Sequence, residues 1–301
     1  MNYENLLVTG GTGFVGTALQ EYMPDWTYLS SRDCDLTDWR QCYELFNDTR
    51  PDAVIHLAAK VGGIRESSLH QGEFYYLNSM INLNVVEQAY KAAVPRLLAS
   101  LSTCCFPDVS ETYPMTEEDI MVGLPTKTNF GYGYSKRSLF VQINCYREQY
   151  GVNYTTFSPC NLYGPQNDFD LDTSHFVSAM VRKFAEAKDG DTLQFWGSGD
   201  PLRQQLYVED LSKIMVELLE KHDSDQPIIV APNENLSIRQ MIETCMQVVG
   251  KDVSIAFDSR LSGQHRKDGS NARLMQLIGN FDFTPFKEGV RKTYDWYTEN
   301  K

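Results

Sequence analysis

The chain has 301 residues, 42% of them hydrophobic and 22% charged, the make-up of an ordinary globular protein with apolar material for a large core. Its formal charge of −13 argues against a broad nucleic-acid footprint and against attraction to anionic membranes, since both need clustered basic side chains. Seven cysteines (Cys34, Cys42, Cys104, Cys105, Cys145, Cys160 and Cys245) are scattered without a C-x-x-C pair, which argues against a disulfide framework or a structural metal site.

The first residues, MNYENLLVTGG, lack a basic stretch followed by an apolar one, and no run of about 18 apolar residues follows, so a cytoplasmic location is expected. Asn5 to Thr9 reads as a strand, Phe14 to Tyr22 as a helix, Trp26 to Ser30 as a strand, Leu36 to Asn47 as a helix and Ala53 to Ala58 as a third strand. Asn78 to Ala93 has helical spacing, Arg96 to Ser102 is a fourth strand, Tyr132 to Tyr150 a long helix and Tyr154 to Ser158 a fifth strand. This alternation predicts an α/β fold, a Rossmann-type doubly wound parallel sheet, with ligands held outside the carboxyl ends of its strands. Beyond about residue 165 the pattern loosens: Phe176 to Ala187, Asp210 to Lys221 and Ile238 to Val249 read as helices, Leu193 to Trp196 and Ile228 to Ala231 as short strands. A nucleotide-binding domain over 1–165 and a smaller C-terminal substrate-binding domain over 166–301 are expected, some later elements returning to the first sheet.

Thr9 to Gly16 reads TGGTGFVG, with Gly10, Gly13 and Gly16 between a strand and a helix. Glycine there allows the backbone to approach a pyrophosphate at the positive helix end, so Gly10, Gly11, Thr12, Gly13, Phe14, Val15 and Gly16 are expected against a dinucleotide. The second strand ends Ser30-Ser31-Arg32, where a hydroxyl from Ser31 and a guanidinium from Arg32 suit the 2′-phosphate of NADP(H). Asp33 and Asp35 follow closely and keep NAD open, with Asp35 and Leu36 expected against the adenine. Ala58 and Ala59, at the end of the third strand, complete this cofactor wall.

SLSTCCFPD, Ser100 to Asp108, enters the crevice at the end of the fourth strand. Residues i and i+2 of a strand share a face, so Ser102 and Cys104 are predicted to point together while Thr103 and Cys105 point away. In FGYGYSK, Tyr132 and Lys136 lie four apart on one helix face, and an ammonium beside a phenol lowers the tyrosine pKa toward the working range of a general acid. With 17 tyrosines in the chain such a pair means little alone; its place after the fourth strand gives it weight. Tyr134, with Ser138 four residues on, reads as a packing aromatic, and His56, on a strand, as a core residue bonded locally.

Together TGGTGFVG, Ser102 and Tyr132-x-x-x-Lys136 resemble the extended short-chain dehydrogenase/reductase superfamily. HLAAKVGGI, LSTCCFPD, NFGYGYSKR, NLYGPQNDF, SHFVSAMVRKF and WGSGDPLRQQLYVEDL are similar to its GDP-4-keto-6-deoxy-D-mannose 3,5-epimerase/4-reductases, and they span nearly the whole chain. The resemblance implies that a GDP-linked 4-keto-6-deoxy hexose is epimerised at C3 and C5 and then reduced at C4 with NADPH, in a homodimer packed through Asn78 to Ala93 and the catalytic helix. It implies Cys104 and His175 as the epimerising acid and base, Tyr132 as proton donor to the C4 oxygen, Ser102 bonded to the ketone, and Lys136 on the nicotinamide ribose. Pro159, Asn161, Leu162 and His175 fall beside the nicotinamide. Substrate contacts fall on Ser102, Lys183, Trp196 and Arg203, with Lys267, in the loop GQHRKDG, a weaker candidate. Thr173-Ser174 reads as a helix N-cap whose positive end destabilises the His175 imidazolium.

Two positions depart from that pattern. Ser262-Gly263 stands where these enzymes carry Asp-Gly, which puts a carboxylate contact to the substrate in doubt, and Cys160 replaces a usual threonine and reads as packing. A related reductase or epimerase acting on another nucleotide-linked 4-keto sugar, such as a keto-heptose, is the near rival. A 4,6-dehydratase would carry an acidic pair where the cysteines stand, and a non-catalytic NADP-sensing interaction protein would typically have lost Tyr132 or Lys136.

Overall fold

In the computed structural model, which describes residues 3–258 and 264–301, strands and helices alternate through the first half. They are β1 (Leu6–Thr9), α1 (Phe14–Tyr22), β2 (Thr27–Leu29), α2 (Trp39–Thr49), β3 (Ala53–His56), α3 (Ile64–Leu69), α4 (Gln71–Lys91), β4 (Arg96–Ser100), α5 (Phe130–Tyr150) and β5 (Asn153–Pro159). The second half holds β6 (Asn161–Tyr163), α6 (Phe176–Glu186), β7 (Thr192–Trp196), β8 (Leu202–Tyr207), α7 (Val208–Lys221), β9 (Ile228–Val230), β10 (Asn235–Ser237), α8 (Ile238–Val249), β11 (Ser254–Asp258), β12 (Arg266–Lys267), α9 (Ala272–Ile278) and α10 (Phe286–Glu299).

Six strands form one sheet in the order β2-β1-β3-β4-β5-β9, every pair parallel. β1 and β3 are buried along their whole length, because a parallel sheet needs crossover helices on both faces. α2, α4 and α5 pack side by side on one face, and α1, α7 and α9 on the other. Leu7, Val54, Ile55, Leu97 and Leu98 are fully buried at the centre. The fold is the predicted doubly wound α/β sheet.

A second apolar cluster gathers Tyr163, Val177, Met180, Phe184, Phe195, Tyr207, Met241, Ile242 and Phe286. β8 there pairs with β6 and β12 in parallel and with β10 antiparallel, while β7 pairs with β11. The chain leaves the large sheet after β5, builds β6 to β8, and comes back through α7 to lay β9 against β5. Among the described residues no helix is long and apolar enough to cross a membrane, and no group of three metal-ligating side chains comes together.

Among the boundaries that differ from the sequence reading, two matter for the site. α4 starts at Gln71 rather than Asn78, and the Gln71 amide holds the start of α5: it donates to the Lys127 carbonyl at 2.7 Å and accepts from the Gly131 N–H at 2.8 Å. β4 stops at Ser100, two residues early, and the chain turns.

Candidate active site

β1 runs into the glycine loop, and α1 begins with Gly13 as its N-cap. Gly10 takes φ +73°, and a Cβ there would stand 2.7 Å from the Ala58 nitrogen. A Cβ on Gly16 would stand 2.5 Å from the carbonyl oxygens of both Gly10 and Gly11, so α1 seats on its own loop only because that atom is missing. No side chain caps α1, which leaves its first N–H groups to receive a pyrophosphate. Thr12 is exposed there, with Phe14, Val15, Ala58 and Ala59 half-buried beside it.

After β2, Asp33 folds back on its own turn. Its carboxylate accepts from the Ser30 hydroxyl at 2.6 Å and the Ser30 N–H at 2.8 Å, bonds that hold it below the usual carboxylate range. Asp35 is likewise engaged by the Thr37 N–H and hydroxyl at 2.9 and 2.7 Å, and Leu36 lies half-buried beside it. Ser31 and Arg32 stand exposed, and no carboxylate pairs with Arg32 among the described residues. A cradle cleared of Cβ atoms beside an unmatched guanidinium fits a dinucleotide with a 2′-phosphate.

Beyond β4, Thr103–Cys105 form one 3₁₀ turn, capped by the Ser102 hydroxyl, which accepts from the Cys104 N–H at 3.1 Å. Strand alternation therefore does not govern Ser102 to Cys105. A turn of three residues nevertheless divides them the same way: Cys104 is half-exposed, while Thr103 and Cys105 are buried. The Cys105 thiol donates to the Ser102 carbonyl at 2.8 Å, and burial pushes it up to about 12. The Cys104 sulfur is approached by Asn129 Nδ2 at 3.5 Å and by Lys267 Nζ at 3.6 Å. Burial pushes this thiol up, but the Lys267 charge and hydrogen bonds from Ser102, Lys267 and Asn129 outweigh it, and the net shift is downward. Lys267 is thus not in a loop: it lies in β12, in register with Arg203 of β8.

α5 forms the opposite wall. A Cβ on Gly133 would stand 2.6 Å from the Cys104 carbonyl oxygen, so glycine lets the helix pass against the turn. Burial pushes the Tyr132 phenol far above the ordinary value, the two thiols adding to the effect and the nearby Ser102 hydroxyl opposing it. Lys136 does not lower it. Its Nζ lies 5.8 Å from the Tyr132 ring centroid and donates instead to the Ser100 carbonyl at 2.7 Å, and burial brings the ammonium down to about 8. Arg137, buried, donates to the carbonyls of Cys105, Gly123 and Val122 at 2.6, 2.8 and 3.0 Å and clamps the cysteine turn onto α5. Sequence reasoning missed Asn129 and Arg137. Both flank the tyrosine and lysine in NFGYGYSKR, and only their neighbours in space mark them out.

His175 is itself the N-cap of α6, so Thr173 and Ser174 lie outside the helix and do not cap it. The residue is exposed, yet its surroundings are close enough that burial pulls its pKa down, with Asp168 opposing. Pro159 closes β5, and Asn161 and Leu162 open β6, with Asn161 Nδ2 donating to the Gln204 carbonyl at 3.3 Å. Cys160 between them is buried. Lys183 Nζ donates to the Gln194 carbonyl at 2.6 Å, and Arg203 donates to the carbonyls of Leu202 and Gln264 at 2.7 and 2.6 Å. Trp196, 68% exposed, is no core residue. Ser262 and Gly263 lie outside the described residues. Ser102, Cys104, Tyr132, Lys136 and Lys267 therefore converge, while His175, Lys183 and Trp196 stand apart on α6 and β7.

A dinucleotide cradle, a buried phenol and a thiol of depressed pKa around one crevice define an oxidoreductase with an extra acid–base group. Residues 6–231 match the NAD dependent epimerase/dehydratase family. The chain is 34% identical to the GDP-L-fucose synthase of Dictyostelium discoideum over 98% of its own length and 95% of that protein. A GDP-L-fucose synthetase from Naegleria fowleri bound to NADP superposes with a TM-score of 0.92 at 34% identity, covering 100% of this chain and 94% of that one. A GDP-6-OMe-4-keto-L-xylo-heptose reductase from C. jejuni superposes with a TM-score of 0.94 over 100% and 99% of the two chains, but at 20% identity it shows the shared fold alone. The chain belongs to the NAD dependent epimerase/dehydratase family and, within it, to the GDP-L-fucose synthases.

Proposed function

We propose that this enzyme converts GDP-4-keto-6-deoxy-D-mannose to GDP-L-fucose, epimerising C3 and C5 and then reducing C4. The observation that carries the reading is Cys104, whose thiol is pulled down from its ordinary value while it faces the same crevice as Ser102 and Tyr132. Removing a proton from a carbon beside a ketone needs a positioned base, and a thiol whose thiolate form is favoured by its surroundings can act as one. Cys104 as thiolate takes the C–H proton, and the electron pair passes into the ketone oxygen as an enolate. Ser102 donates to that oxygen. His175 rests as neutral imidazole, because its pKa is depressed; once it takes a proton it is a ready donor to the opposite face.

NADPH supplies the hydride for C4 when bound, held by Gly10 to Gly16, Ser31, Arg32, Ala58, Ala59, Pro159, Asn161 and Leu162, with Asp35 and Leu36 at the adenine. Tyr132 delivers the accompanying proton, and a phenol raised by burial is fully protonated beforehand. Lys136 holds the nicotinamide ribose. Lys183 and Arg203 take the diphosphate, and the exposed indole of Trp196 gives the sugar nucleotide an apolar face. The nucleotide-binding domain is residues 1–165 with α7, β9 and α9 added, and the rest of 166–301 forms the substrate domain. Two copies join through α4 and α5, whose outer face carries the exposed Tyr76, Leu83 and Val141.

The test is solvent-deuterium incorporation. In Cys104→Ser, uptake at C3 and C5 falls at least about 100-fold while NADPH affinity is unchanged; full exchange in that variant sinks the assignment. NADPH oxidation with GDP-linked against dTDP-linked keto sugars, with identification of the product sugar, separates this substrate from the keto-heptose alternative.

A further inference from the structure

We infer that Lys267 is a positioning residue that acts through Cys104: its ammonium, 3.6 Å from the sulfur, holds the epimerising thiol as thiolate before substrate arrives. The inference rests on Cys104 being the base, and it gives a reason for a lysine 163 residues away in sequence to meet that cysteine.

The geometry makes this a built contact. The segment bearing Lys267 is fixed on both sides. Toward the cysteine turn, the Met115 N–H donates to the Asp268 carbonyl at 2.9 Å, the Ser270 N–H donates to the Met115 carbonyl at 2.7 Å, and Gln264 donates to the Asp108 carbonyl. Toward β8, Gln204 accepts from the Gly269 N–H at 2.8 Å and donates to the Gly269 carbonyl at 3.1 Å. These bonds fix the backbone that carries Lys267, so its stem starts from a set position beside the half-buried sulfur. The neighbouring cations are already engaged: Arg266 lies against Asp268 at 2.6 Å, and Arg203 donates to main-chain carbonyls. Among the described residues, only Lys267 brings a positive charge to the thiol.

Among the described residues, the titratable and charged groups that face the sulfur are Lys267 from β12, Tyr132 from α5 and Cys105 in its own turn. Tyr132 and Cys105 are neutral at physiological pH because burial raises both, so one full positive charge decides the balance. Asn129 and Ser102 add neutral dipoles.

The experiment is the pH profile of iodoacetamide alkylation at Cys104, located by mass spectrometry in the NADP-bound, substrate-free enzyme, with Cys104→Ser as blank. Lys267→Met moves the half-rise up by about one pH unit or more and slows alkylation at pH 7 by roughly 10-fold, whereas Lys267→Arg stays within about half a unit. An unmoved profile in Lys267→Met, with a melting temperature within about 2 °C of the parent, overturns the inference. If the methionine variant does not fold, the arginine variant still decides, since a profile displaced upward there shows that charge is not the agent. A lysine serving only the substrate would raise KM and leave this profile alone, which also overturns it. If Cys104 is not the base, Cys104→Ser keeps its deuterium uptake, whatever Lys267 does to the alkylation profile.

Discussion

His56 is fully buried between two partners: the Thr9 hydroxyl bonds Nδ1 at 2.7 Å and the Asn82 side-chain oxygen bonds Nε2 at 3.1 Å, so Nε2 carries the proton and Nδ1 accepts. Burial brings its pKa down to about 3, and that of His222, bonded at 3.1 Å to the Thr156 carbonyl, down to about 4. In the unfolded chain both return to about 6.5, so below that pH the unfolded state binds protons that the folded state refuses. Their stabilisation is whole above pH 6.5 and drains away as pH falls toward the folded values. At pH 5 each histidine has given up roughly 2 kcal/mol. Glu117 and Asp210, whose carboxyls burial holds above their ordinary range, act in the opposite sense and keep the measured loss below that sum. Urea unfolding at pH 7 and pH 5 reads the difference, and equal stabilities would remove this account of the two imidazoles.

At the scale of elements, the seat of α1 on the glycine loop is the most sensitive junction. Gly16→Ala sets a methyl 2.5 Å from two carbonyl oxygens, so the helix must shift and lose about 1–3 kcal/mol, with NADPH affinity falling 10-fold or more. Gly13→Ala meets only the Gly10 oxygen, at 3.3 Å, and should leave the melting temperature nearer the parent's than Gly16→Ala does; fluorescence titration with NADPH alongside thermal melts compares the two, and equal effects on fold would contradict the packing argument. The alternation of strand and helix was legible because periods of two and 3.6 are local properties. So was the pairing of Tyr132 with Lys136 on one helix face. Where the Lys136 ammonium goes was not, because Ser100 reaches it from another element. The SLSTCC segment shows the same limit differently: alternation separated Cys104 from Cys105, but a 3₁₀ turn does the separating, and nothing local to six residues distinguishes them. Lys267 was legible as a cation and illegible as a partner, since its meaning lies across the fold.

For the whole molecule, the proposed dimer is open to test on the outer face of α4 and α5. Leu83→Glu with Val141→Glu, placed on that face, should take sedimentation from the mass of two chains to that of one; an unmutated protein already sedimenting as one chain refutes the dimer. The return of β9 to the large sheet has a consequence for how the protein is made. Arg96, at the start of β4, is buried; it donates to Asn153 and Thr155 of β5, and it also donates to the carbonyls of Leu218, Leu219 and His222, at the end of α7. A ribosome delivering the chain from its N-terminus has finished β5 some time before any of these carbonyls appears. Until then β5 presents a bare edge and Arg96 has its β5 partners without those of α7, so the growing polypeptide passes through a stretch of synthesis in which its own half-built sheet is a template for unwanted pairing.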